Sequence, residues 1–454
     1  MRWKTTLLLL MAVIGLGAYI SLYELHRPLP DERAQLDKRI LAIEPDSINQ
    51  ITLEVPQASI TLTNSAGGWT AAPQGVRADP SRISRILGQL SSLTAERILA
   101  PPKDQPMDLK PFGLEPPAGR LMLAGSGTSH TLLFGEATSV ASNRYAKLLN
   151  RPEVFVLAST LFDEVNQPLE QFRDPLLIRI GEWALNAVSI ASADATYTLI
   201  RADQRWQLGP PINDAADRAE LSTLLHQLSE IMIKRFIADA PQSDKPGAHG
   251  FDRPRAEVRL EREDPDGTVT LAFGAALPDN PSLIYAKRSD EPAVYAVALS
   301  DLEPLLQSPG RLRAKSPFEF FTNTVMRVAI TENNTTRWAI ARKDGRWFAD
   351  GSEAPLEAPP VETFLNQLAD LRVSGFVDAP STDLARYGLT RPAGVISVWT
   401  LNVEQPQSLT VGAALEDGAE RYGQIEGRAV LIMLPAAIAD LLATPLDRFR
   451  KQTP

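Results

Sequence analysis

Two hydrophobic periods alternate along this chain, in an order that is written three times. The clearer one is helical. Ile83, Ile86, Leu87, Leu90 and Leu93 stand at i, i+3, i+4, i+7 and i+10, and the spacing returns in Leu221, Leu224, Leu225, Leu228 and Ile231 and again in Val361, Phe364, Leu365, Leu368 and Leu371. Each set draws one apolar stripe along a helix, which needs an apolar cover; a sheet face is the expected one. Asp79 before Pro80, and Asp217 at the matching place, are expected N-caps whose carboxylates accept otherwise unpaired amide hydrogens. The third copy has Glu357 there, a weaker capping residue.

The second period is two. An apolar lead-in (Ile40, Leu41, Ile43; Leu177, Ile178, Ile180; Phe318, Phe320, Phe321) runs into ITLE from Ile51, VSIA from Val188 or VAIT from Val328. A short polar turn then leads to a strand bearing Trp69, Trp206 or Trp347, the pattern of β-hairpins. Behind each helix comes a glycine-proline turn, reading FGLEPP from Phe112, HGFDRP from His249 and YGLTRP from Tyr387. It sets Gly113, Gly250 and Gly388 four residues before the closing prolines Pro117, Pro254 and Pro392, which follow one another at near-equal intervals. Two alternating segments end on Phe134 and Gly135, Phe273 and Gly274 or Val411 and Gly412, and a tyrosine strand follows with Tyr145, Tyr285 or Tyr422. A last apolar strand and a helix-like stretch close each copy on Arg173, Arg313 or Arg450.

Landmarks that recur in one order make coincidence a poor explanation. They predict an α+β chain of three tandem mixed α/β repeats with mainly antiparallel sheets, with about seven short strands and two helices each. Repeat 1 covers 40–175, repeat 2 covers 176–316 and repeat 3 covers 317–454. The junctions, FRDPLLIRI from Phe172 and LRAKSPFEFF from Leu312, hold no Gly/Ser-rich tether, so neighbouring copies are expected to pack in fixed relation.

Ahead of the repeats, residues 5–23 carry no charge, between Lys4 and Glu24. Such a run is long enough for one transmembrane helix, and Arg2 and Lys4 would hold its start in the cytoplasm. Residues 1–24 are therefore expected to be a signal anchor, 25–39 a juxtamembrane stalk, and the body to lie in the periplasm. Cleavage as a signal peptide near Gly15 and Gly17 is the competing expectation, weakened by the missing A-x-A ending. The chain has no cysteine, which excludes disulfides and lipidation at an N-terminal thiol.

A net charge of −9 argues against nucleic acid as a partner, since phosphate binding needs clustered cations. The four histidines, His26, His130, His226 and His249, show no metal-ligand spacing. There is no nucleophile elbow, no phosphate loop and no dinucleotide fingerprint; Gly125 to Gly127 and Asp264 to Gly267 read as turns. No catalytic, cofactor-binding or metal residue is expected, and no cofactor. The residues kept in all three copies are fold-making types: the tryptophan, the turn glycine and proline, the tyrosine and the late arginine. A functional site would have to lie between copies or in one copy's departures, such as His226 and His249 or the aromatic Trp399.

The RILAIEPDSINQITLE run from Arg39, with the recurring GW, FGLxPP or YGLxxP, FG, RYAK and FR landmarks, resembles bacterial membrane-anchored proteins that carry domain of unknown function 4340 in tandem. The resemblance covers residues 39–454. It implies a single-pass inner-membrane protein that serves an ABC-type transport system, with a permease or a subunit similar to a gliding-motility auxiliary protein as partner. It implies a non-enzymatic scaffold and supplies no catalytic residue. A periplasmic binding module for an envelope polymer, lipid or peptide is the alternative expectation.

Overall fold

In the computed structural model, the described residues are Trp3 and 39–450, without 56–57, 104, 126, 140–141, 194, 203–204, 240–246, 248, 263–266, 378–381 and 417. The expected anchor over 5–23 and nearly all of the stalk lie outside them. Among the described residues no helix is long and apolar enough to cross a membrane. The chain divides into two compact units, Met1–Pro175 and Leu176–Pro454.

The first unit holds one antiparallel sheet. Its spatial order is Val76–Arg77, Gly68–Ala72, Ala58–Ser65, Gln50–Val55, Gly119–Gly125, Thr128–Ala137, Asn143–Leu148, Val154–Ala158 and Arg97–Leu99. The first four strands fold back on one another to one edge. Helix α1 (Pro80–Ser91) then carries the chain to the strand at the opposite edge, and the remaining four fill the space between. Asp79 caps α1 by accepting from the Ser81 amide at 2.9 Å. Ile83, Ile86, Leu87 and Leu90 are buried in one cluster with Ile51, Leu53, Leu62 and Leu121 from the sheet, each worth roughly 1.5–3 kcal/mol of burial. A short helix, α2 (Thr160–Val165), precedes the closing turn.

The second unit repeats this order in a sheet of nine strands from Asp214–Ala215 to Ile233–Ala238, with α3 (Arg218–Ser229) over its core face. A third sheet follows, with α4 (Ala358–Ala369) over its core face and α5 (Ala437–Ala443) near its end. This last sheet has eight strands. The residue matching Arg77 and Ala215 is Pro355, which has no amide hydrogen to extend a ladder, so only an isolated bridge to Phe348 forms.

The strand count exceeds the expected seven because the two- and three-residue strands are too short to show a period, and the six-residue strand Ile233–Ala238 after α3 does not alternate. The fifth residue of each stripe also falls beyond its helix. Leu93 and Ile231 end the turn after the helix, where their carbonyls accept from the Ile40 amide at 3.0 Å and the Leu177 amide at 2.9 Å. Asp217 caps α3 through the Ala219 and Glu220 amides, whereas Glu357 makes no side-chain cap on α4. Phe321, expected in an apolar lead-in, is exposed.

Candidate functional site

The three landmark tryptophans occupy one place in each sheet, where their carbonyls accept from Ala78, Ala216 and Leu356 at 2.8, 3.0 and 2.8 Å. Trp206 and Trp347 are buried, at 8% and 4% exposure. Trp69 differs from them: it is half-buried and packs against its core.

The glycine-proline turn lies against the sheet face away from the long helix, and two glycines make that approach possible. Gly113, Gly250 and Gly388 have φ of 61°, 75° and 68°. A Cβ there would crowd the backbone amides of Glu136, Ala275 and Ala413. In return, a Cβ on Gly135, Gly274 or Gly412 would overlap the carbonyl oxygen of Phe112, His249 or Tyr387. Each turn and the strand beneath it therefore require glycine from the other. Pro117, Pro254 and Pro392 are half-buried and stand just before the residue whose amide starts the next ladder, at 2.7 to 2.8 Å.

The first residue of the turn meets the strand tyrosine in every repeat. Phe112 and Tyr145 have ring centroids 5.0 Å apart, His249 and Tyr285 4.5 Å, and Tyr387 and Tyr422 5.0 Å, all edge-on. His249 thus replaces an aromatic ring in a packing contact. His226 is exposed on α3, His130 is half-buried in a strand, and His26 lies outside the described residues. Among the described residues no group of three metal-ligating side chains comes together.

A different cluster joins repeats 2 and 3 within the second unit. Asp214, on the edge strand of the second sheet, is buried and accepts from Arg428 Nε and Nη2, both at 2.8 Å, and from Arg313 Nε at 3.0 Å. Arg428 also donates to the Ala314 carbonyl at 3.1 Å. The Arg313 guanidinium lies 3.6 Å from the ring centre of Phe376, in the third sheet. The late arginine was visible as a recurrent residue; Asp214 and Arg428 were not, because Val76 and Ala354 stand for Asp214 in repeats 1 and 3, and Glu291 stands for Arg428 in repeat 2 although repeat 1 has Arg151. In repeat 1 a related ion pair, Arg77 to Asp174 at 2.8 Å, sits one residue along from those positions. Arg450 pairs with Asp447 at 3.1 Å, with 57% of its side chain exposed.

Trp399 lies on the face of the third sheet away from α4, half-buried, with the Arg327 guanidinium 5.4 Å from its ring centre. On the same sheet face a hollow of ≈ 450 Å³ is lined by Val395, Ser408, Thr410, Gln424, Glu426 and Arg428, among others. Buried Tyr197 donates to the Leu305 carbonyl at 3.3 Å, and burial pushes its phenol pKa up to about 12.

A family described as Domain of unknown function (DUF4340) matches residues 23–107, 69–249, 206–380 and 347–454, and the last three matches begin on Trp69, Trp206 and Trp347. The chain belongs to the DUF4340 family. The overlapping DUF4340 matches run in tandem over nearly all of it, in step with the landmark tryptophans. No curated protein and no solved structure matches the chain.

Proposed function

We propose that this DUF4340 protein is a non-enzymatic accessory or scaffold of an ABC-type transport system, held in the bacterial inner membrane by residues 1–24 with its repeats in the periplasm. The observation that carries the reading is the carboxylate of Asp214, shared between Arg313 of its own repeat and Arg428 of the next. Such a contact holds two repeats in one fixed geometry, and a surface with fixed spacing is what an adaptor offers to a partner. A membrane tether adds a second contact and raises the effective concentration of the first. The residues that recur in all three repeats go into packing, which supports the same reading.

Affinity capture in a mild detergent, with and without residues 1–24, tests this. Full-length protein should co-purify with an ABC-type permease or its auxiliary subunit, and the body alone should bind more weakly. It should hydrolyse neither nucleotides nor common ester, peptide or glycoside substrates. Recovery of no membrane partner by the full-length protein would overturn the scaffold. A second reading, a periplasmic binding module for an envelope polymer, lipid or peptide, is favoured by Trp399, an aromatic at a position where the other repeats have Ala124 and Glu261.

A further inference from the structure

The face of the third sheet that carries Trp399 departs from its two counterparts at one place. Val395 and Ser397 pair across the sheet with Thr410 and Ser408, as Glu257 and Arg259 pair with Ala272 and Thr270 in repeat 2. There the long side chains lie over the face, Arg259 reaching Glu261 at 2.9 Å. In repeat 1 the residue matching Val395 is Arg120, which reaches Glu54 at 3.6 Å. Gln424 likewise stands where repeats 1 and 2 have Lys147 and Lys287. Repeat 3 has shorter side chains at these places, and a hollow of ≈ 450 Å³ lies over two of them, Val395 and Gln424. That volume is within the roughly 300–1,000 Å³ of small-ligand sites.

The lining sets the chemistry of an occupant. Ser408, Thr410 and Gln424 line the hollow, and the Ser397 hydroxyl, 3.2 Å from that of Ser408, adjoins them; together they give a surface that can both donate and accept. Arg428, in the lining beside Glu426, is paired with Asp214, and Arg327, next to Trp399, with Asp350 at 2.6 Å. An anion therefore finds no strong attractor, and an acyl chain finds hydroxyl and amide groups where it needs apolar ones. Trp399, two residues along the same strand face from Ser397, adds a half-exposed indole.

We propose that this hollow binds a neutral, hydroxyl-rich ligand, a stretch of saccharide chain, which stacks on Trp399 and exchanges hydrogen bonds with Ser397, Ser408, Thr410 and Gln424. The assignment rests on the second reading above, the binding module, and names its ligand class.

The test uses full-length protein in lipid nanodiscs, free of glycoside detergent, titrated calorimetrically with chitotetraose, maltotetraose and, as a neutral peptide, tetraalanine. At least one tetrasaccharide should bind saturably. Trp399→Ala should weaken it about tenfold or more, and so should Ser397→Arg, which restores the long side chain of repeat 2 next to Ser408 in the lining. Gln424→Lys, the residue of both other repeats, is a third variant that keeps the sheet intact, and circular dichroism confirms folding of each. Saccharide binding unaffected by these variants overturns the proposal. Saturable binding of tetraalanine alone, weakened by Ser397→Arg, overturns the saccharide and leaves the binding module standing. Binding of none of the three probes overturns both.

Discussion

Replacing Asp214 by alanine should be among the most damaging single changes outside the apolar cores. Its side chain is fully buried, while those of Arg313 and Arg428 are 9% and 11% exposed. The carboxylate accepts two bonds from Arg428 and one from Arg313, and Oδ1 also accepts from the Ala215 amide at 2.8 Å. Removing it takes from two largely buried guanidinium groups the carboxylate they share. Breaking a buried pair from one side costs about 3–5 kcal/mol, because the charge left behind has lost its hydration as well. Arg428→Ala should cost less, about 1.5–3 kcal/mol, since Asp214 keeps Arg313 and the Ala215 amide. The double variant should then show a coupling of at least about 1 kcal/mol, as residues in one network do. Urea unfolding followed by tryptophan fluorescence supplies the three free energies. Hydrogen exchange should report opening at Ala314, whose amide donates to the Ala215 carbonyl at 2.8 Å. An Asp214→Ala cost below about 1 kcal/mol, or single effects that simply add, would refute the reasoning from burial.

Gly412→Ala drives a Cβ into the Tyr387 carbonyl oxygen and should cost about 1–3 kcal/mol in thermal or urea unfolding; a neutral result would mean that the turn can lift off its strand. Trp347→Ala should cost about 3–5 kcal/mol, and Trp69→Ala clearly less, because Trp69 is only half-buried; equal losses by the same assay would contradict the difference in burial. Alkaline stability should depend on Tyr197. Its folded pKa, about 12, lies above the unfolded value of about 10, so its contribution is complete below pH 10 and is lost as the pH rises from about 10 to 12, where the unfolded chain has released a proton that the folded chain retains. Tyr197→Phe should lose about 1 kcal/mol at neutral pH and show a shallower decline over that alkaline window; parallel pH profiles would exclude the assignment.

Much of this fold was legible because its periods are long enough to see. The five-residue stripes located the helices, and Asp79 and Asp217 announced their first turns. The strands at the edges were not legible, since Val76–Arg77 and Asp214–Ala215 are too short to alternate and owe their place to pairing partners far along the chain. The tyrosines and the turn residues Phe112, His249 and Tyr387 were each visible, but their mutual contact was not: pairing across a sheet face is set by register and leaves no local spacing to read. The same holds for the junction, where Asp214 and Arg428 are 214 positions apart.

Three copies in one chain separate two kinds of constraint that a single domain would mix. A residue present at the same place in every copy is explained by what every copy must do, and the glycine pairs at 113 and 135, 250 and 274, and 388 and 412 are of this kind: each permits one crossing of backbone over backbone. Residues tied to function or to assembly are expected among the differences. Those differences are not scattered. Asp214 with Arg428 falls at the seam between repeats 2 and 3, and Val395, Ser397, Trp399 and Gln424 fall on one sheet face beside it, with Arg428 a member of both sets. The guanidinium that fixes the seam also forms a wall of the hollow. A ligand pressing on that wall would meet a group held by a buried carboxylate, so occupancy of the hollow and firmness of the seam are linked through one side chain. By reciprocity, Arg428→Ala should loosen both, and a ligand that binds the hollow should slow hydrogen exchange at Ala314.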